Sequence, residues 1–157
     1  MTTVLIALDQ SDASHAAALS AAELFGPDAS YLAINVVDAP FDESAFVYGY
    51  AFPAAMPALD DRPMSDRVYE TVTRARLEAA RMSKEAGVSA TALGDMGDPA
   101  TAILAAAEEY GVDVIVTGWH DRNWFRGLFD KPVGEALASK SGIPVLIVAA
   151  HAQSTND

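Results

Sequence analysis

Three observations predict an α/β chain, a single-domain three-layer sandwich built on a five-stranded parallel sheet. Short apolar runs of strand length alternate with amphipathic stretches of helix length. Turn and capping residues separate them, and the apolar runs are continuous rather than alternating, as strands covered on both faces require. A glycine, Gly118, stands at the carboxyl end of the fourth such run, where open parallel sheets bind ligands.

Thr3 to Leu8 opens as the first strand. Ser11, Asp12 and Ser14 then offer N-caps to an alanine-rich helix over Ala13 to Phe25, which Gly26-Pro27 stops. Tyr31 to Val37 repeats the strand signature. The spacing predicts a long second helix over Arg67 to Ala86, closed by Gly87. Val88 to Leu93 is a weaker strand, followed by a helix that Asp98 caps, Pro99 starts and Gly111 ends. Val112 to Thr117, a helix over about Pro132 to Ser141, and Ile143 to Val148 complete the alternation. Strands alternating with helices in this way imply helices on both faces of the sheet.

Residues 1–150 read as one domain and 151–157 as a polar tail. The connection over 39–65 is long for a compact domain and carries Phe41, Phe46, Tyr48, Tyr50 and Phe52 among acidic residues and prolines. It reads either as a loop folded over apolar surface or as a lid or partner surface.

With 22 Asp plus Glu against 10 Lys plus Arg, the formal charge of -12 and the lack of a basic stripe argue against nucleic acid and anionic membranes as partners. Zero cysteines exclude disulfides, thiolate metal sites and cysteine nucleophiles. The N-terminus enters a strand with no basic region before it and meets Asp9 quickly, so neither a signal peptide nor a membrane span is expected. A cytoplasmic location is the simplest expectation.

If the first and fourth strands are central, Asp9 and Gly118 lie at neighbouring carboxyl ends. Asp9 there either accepts hydrogen bonds from a base or ribose, ligates a metal ion, or caps the following helix. His15, His120 and His151 are too scattered to argue for a metal site.

Taken together, ALDQSDAS after the first strand, NVVDAP after the second, GDMGDPATAIL before the third helix, and DVIVTG with GIPVLIV at the end resemble the universal stress protein family. The likeness covers the chain apart from the 39–65 region. It implies an adenine nucleotide alpha hydrolase-like, Rossmann-like fold, often homodimeric through the last strand. ATP-binding members resemble one another in a motif of Gly, two residues, Gly, nine residues, Gly, then Ser or Thr. Laid on this chain the motif falls on Gly118, Asp121, Lys131 and Pro132, so only its first position is kept. By the same likeness Ala7 and Asp9 would flank adenine and ribose, Val36 would pack on the base, Thr117 would border it, and Val133 would follow the phosphates.

The departures oppose a triphosphate. Pro132 has no N–H and no hydroxyl to give. Asp121 sets a carboxylate where an anion should sit, and like charges at about 4 Å repel by about 4 kcal/mol at an effective dielectric of 20. That exceeds the roughly 0.5–1.5 kcal/mol of one neutral hydrogen bond. Arg122, Arg126 and Lys131 could contact phosphate through side chains, but flexible stems replace an oriented backbone nest poorly. Trp119, Trp124, Phe125 and Phe129 among those arginines read as loop packing or a partner contact rather than a base-stacking platform.

The last strand is short and strongly apolar. Ending the sheet, it would leave an edge in need of cover. Pairing of Val145, Leu146, Ile147 and Val148 with a second copy would supply that cover in a closed dimer.

The expectation is a cytoplasmic, homodimeric stress-response or regulatory protein that requires no cofactor, binds no metal and lacks family-type tight ATP binding. The alternative is an adenine-nucleotide sensor using the same cleft for ATP, AMP or a cyclic nucleotide. A hydrolase ranks last, since no base, nucleophile or metal constellation is indicated.

Overall fold

A computed structural model describes residues 1–37, 62–119 and 133–150. The expected 39–65 loop, apart from its last residues, the 120–132 insert and the 151–157 tail lie outside the described residues.

Among the described residues, the elements are β1 (Thr3–Ala7), α1 (Asp12–Phe25), β2 (Ser30–Val37), α2 (Met64–Glu85), β3 (Ala90–Met96), α3 (Pro99–Glu109), β4 (Val114–Gly118), α4 (Val133–Lys140) and β5 (Val145–Val148). The five strands form one sheet in the order β3-β2-β1-β4-β5. Every pairing is parallel, with Val4 opposite both Tyr31 and Val114, and Gly118 opposite Val148. β1 is therefore central, between β2 and β4, and β3 and β5 form the edges.

Side chains of alternate strand residues serve two cores. Val4, Ile6, Leu8, Ala33 and Val116 pack with α1 and α2 on one face. Leu5, Ala7, Ile34 and Ile115 pack with α3 and α4 on the other. The alanine run of α1 has a packing reason. Ala17, Ala18 and Ala21 are all 0% exposed, so the helix axis lies close to the sheet.

That closeness extends to backbone at two glycines. A Cβ on Gly118 would stand 2.5 Å from the Ala13 carbonyl carbon and 2.8 Å from the Ser14 nitrogen, so the first turn of α1 is seated on the end of β4. A Cβ on Gly94 would stand 2.3 Å from the Arg76 nitrogen and 2.4 Å from the Val72 oxygen. Here α2 lies directly on β3.

The second contact explains a correction. The strand expected over Val88 to Leu93 instead runs Ala90–Met96, with Gly94 and Asp95 paired to Asn35 and Val36. Residues with turn propensity are held in a ladder because the helix above leaves room only for glycine. The second helix also starts earlier than Arg67, at Met64 after Pro63, and makes no side-chain cap. Elsewhere the caps match. Asp98 accepts from the Thr101 N–H at 3.0 Å with Pro99 in the first turn, and Gly87 follows α2 with a φ of 72°. The start expected for the last helix, Pro132, lies outside the described residues.

Candidate functional site

The carboxyl ends of β1, β2 and β4 meet where β1 gives way to α1. The sequence folds locally into a knot of short polar residues. The Asp9 N–H donates to the Ser14 hydroxyl at 3.0 Å, and that hydroxyl donates back to the Asp9 carbonyl at 2.7 Å. The Ser11 N–H donates to the Asp9 carboxylate at 2.9 Å, and the Ser11 hydroxyl donates to the same oxygen. Ser11 then accepts from the Ser14 N–H at 3.1 Å as the N-cap of α1. Of the three cap candidates the sequence offers, Ser11 fills the role. Asp9 does not cap the helix itself but fixes the residue that does.

Asp9 is 7% exposed and Thr117 1%. Asn35, also buried, donates from its side-chain amide to the Leu8 carbonyl at 2.8 Å and ties the ends of β1 and β2 together. Sequence reasoning passed over Asn35. Its signal was a lone amide inside an otherwise apolar strand, next to the strand's carboxyl end. Ser14 was read only as a cap candidate, whereas it is the buried brace of the β1–α1 turn.

The structure brings several expected positions together. Ala7, Asp9, Thr117 and Gly118 stand at the ends of neighbouring strands. Ala7 and Val133 belong to one core cluster, with Val36 packed against it. Asp121, Arg122, Arg126 and Lys131, like His120, lie outside the described residues. Gly118 differs in its reason for being glycine. The space a side chain would take is filled by the backbone of α1, not left open for an anion. The next N–H, that of Trp119, donates to the Val148 carbonyl at 2.7 Å and so extends the β4–β5 ladder.

Beside Asp9 a cavity of about 430 Å³ opens between the start of α1 and the second half of α2. Asp9, Asp12, Glu78 and Glu85 contribute carboxylates to it, with Arg81 and His15. The Arg81 guanidinium is engaged by Glu78 at 2.8 Å and Glu85 at 2.6 Å. Its hydrogen bond holds the Glu78 carboxyl below the ordinary glutamate range against an opposing desolvation. No group of three or more metal-ligating side chains exists among the described residues. None of the described helices is long and apolar enough to cross a membrane.

Known proteins resemble this chain in sequence and in fold. The pattern described as the universal stress protein family matches residues 1–149. The stress response protein NhaX of Bacillus subtilis (strain 168) is 29% identical over 163 residues, covering 92% of this chain and 96% of that protein. Among solved structures, the hypothetical protein MJ0577 superposes with a TM-score of 0.61 at 21% identity, over 94% of this chain and 95% of that one. A universal stress protein in complex with cAMP gives 0.54 at 22% identity, over 96% and 98% of the two chains. A universal stress protein family protein from Arabidopsis thaliana with AMP bound gives 0.57 at 15% identity, over 100% and 97%. At these identities the structural likenesses establish the fold.

Proposed function

The chain belongs to the universal stress protein family, and from that premise we propose that it acts as a cytoplasmic, homodimeric stress-response module, regulatory or protective rather than catalytic, without the family's tight grip on ATP. The observation that carries this reading is the state of the motif's start. Gly118 is packed under α1, and the Trp119 N–H is spent on Val148. The Trp119 N–H is thus withheld from the backbone nest that a phosphate needs, and helix backbone fills the space beside Gly118.

The test is direct. Purified protein is denatured, released small molecules are identified by mass spectrometry, and melting shifts are recorded with added ATP. A ligand at 100 times its Kd stabilises by about 2.7 kcal/mol, an easily measured shift. Stoichiometric ATP in the extract overturns the reading. The dimer is proposed through β5, the sheet edge formed by Val145–Val148, by pairing with its two-fold mate. Light scattering that finds a monomer at micromolar concentration defeats it.

A second reading, an adenine-ligand sensor using AMP or a cyclic nucleotide, is favoured by one observation. Asp9, Asn35 and Thr117 keep a buried polar rim at the carboxyl ends of β1, β2 and β4. The related proteins with cAMP and AMP bound show that this fold accommodates such ligands.

A further inference from the structure

We propose that the outer edge of β3 is a docking slot for an extended segment of a partner protein, which adds to the sheet as a sixth strand and carries an acidic and a basic residue side by side.

The ladder sets which groups face outward. The Gly97 N–H donates to the Val37 carbonyl at 2.9 Å, and the register from Ala90 to Met96 is unbroken. By alternation Thr91, Leu93 and Asp95 turn their N–H and C=O groups to β2, while Ala90, Ala92, Gly94 and Met96 turn theirs away from the sheet. The Met96 N–H is taken by the Asp95 carboxylate at 2.8 Å, which closes one end of the edge. Among the described residues no strand pairs with β3 on that side. Natural edges are guarded by brevity, proline, lysine or a bulge. β3 has seven residues against four in β5, and its sequence ATALGDM contains neither proline nor lysine.

The edge is also recessed. A cavity of about 480 Å³ follows Thr91 to Asp95, walled by Tyr69, Val72 and Arg76 of α2 on one face and by Ala106, Glu109 and Tyr110 at the end of α3 on the other. An added strand would lay alternate side chains against each helix instead of leaving both its faces in water. Tyr69 is 73% and Tyr110 45% exposed, so each wall offers ring surface to the incoming segment.

Charge selects the occupant. Arg76 stands on the α2 wall and Glu109 on the α3 wall. Both are exposed, and neither belongs to an ion pair among the described residues. Consecutive strand residues point to opposite faces, so a Glu-Lys pair in the incoming segment answers both walls at once. A second copy of this chain fits poorly. Its own α2 and α3 flank its β3, so helix would meet helix before edge met edge, and each chain carries a formal charge of -12.

The probe is a blocked hexapeptide, Thr-Val-Glu-Lys-Val-Thr, titrated into the isotope-labelled full chain and followed by NMR. The expected result is saturable amide shifts centred on Ala92 and Gly94. Methylating alternate peptide nitrogens removes the strand hydrogen bonds and should weaken binding at least ~5-fold in the register that faces β3. Ala92→Pro deletes an outward N–H while sparing the bonds to β2 and should act likewise. Should that variant fail to fold, the methylated peptide tests the same bonds on the parent protein. Arg76→Glu should weaken this peptide about 2–5-fold and strengthen the version with Lys in place of Glu. No saturable shift at millimolar peptide, equal binding in every methylated register, or shifts centred on β5 overturns the proposal. So does an Ala92 amide protected from hydrogen exchange as strongly as that of Leu5 in the protein alone, since the slot would already be filled. A dimer that Ala92→Pro abolishes overturns it too, by making a second copy the occupant.

Discussion

Replacing Gly118 by alanine should destabilise the ligand-free protein, because the added carbon has nowhere to go. It would lie 2.5 Å from the Ala13 carbonyl carbon and 2.6 Å from its oxygen, whereas ordinary contact begins at 3.4 Å, so a gap of about 0.9 Å must open. The obstacles are backbone atoms of a helix, not the ends of flexible side chains. Relief requires α1 to lift from β4, which would pull Ala17, Ala18 and Ala21 off the sheet together. Overpacking of this kind costs about 1–3 kcal/mol, and the rigid obstacle places the expected loss at roughly 2–3 kcal/mol. For a chain of this size each kcal/mol moves the melting temperature by about 2–4 °C, so a fall of roughly 4–12 °C is expected. Urea unfolding followed by circular dichroism gives the free energy, provided the slope against denaturant is unchanged. A Gly118→Ala variant that melts with the parent would refute the packing reasoning. If that variant lost only a ligand-induced shift, Gly118 would be kept for a ligand after all.

Gly94→Ala should show a loss of about 1–3 kcal/mol from its clash with Val72 and Arg76 backbone, while Gly134→Ala, whose new carbon meets only the movable Ile147 side chain at 3.1 and 3.3 Å and Thr117 at 3.5 Å, should stay within about 1 kcal/mol of the parent. Equal effects in urea titrations would contradict the distinction between backbone and side-chain obstacles. Ser14→Ala removes both hydrogen bonds to the Asp9 backbone and strands a buried N–H, a cost of about 1–3 kcal/mol by the same assay. Asp98→Ala deletes the cap of α3 and should cost about 1 kcal/mol; a null result would mean water replaces the cap without loss. Hydrogen bonds from Arg62 to Glu70 and from Arg81 to Glu78 lead the causes that lower both carboxyl pKa values. Their contribution is therefore complete above the ordinary glutamate range and disappears as the pH falls through the lowered folded values. Arg81→Ala should flatten the acid-side loss of stability, and an unchanged pH profile would dismiss this pair as a contributor.

The strands were legible because burial on both faces leaves a run such as Thr3 to Ala7 with no polar side chain after its first residue. The caps at Ser11 and Asp98 were legible because short oxygen-bearing side chains must precede a helix start. Gly94 and Asp95 were not, since local propensity reads them as a turn and only the distant α2 makes them strand. The same limit applies at the site. The nearness of Asp9 to Gly118 followed from the strand alternation, but the reason for Gly118 did not, because Ala13 lies 105 positions away in the chain. The mutual bracing of Asp9, Ser11 and Ser14 was within reach of sequence, as the residues are neighbours, yet three interchangeable cap candidates hide which one serves.

The central place of β1 also sets a timetable for synthesis. Leu5 and Ile6 gain Leu32 and Ala33 early, but their other partners are Ile115 and Val116. At roughly 5–20 residues per second, a ribosome needs several seconds or more to deliver that second flank. Until then this strand, apolar after its first residue, is sheltered on one side alone, an invitation to chaperones and to neighbouring nascent chains. Slowing translation ahead of β4 should therefore raise the fraction lost to aggregates, whereas slowing it after β5 should not.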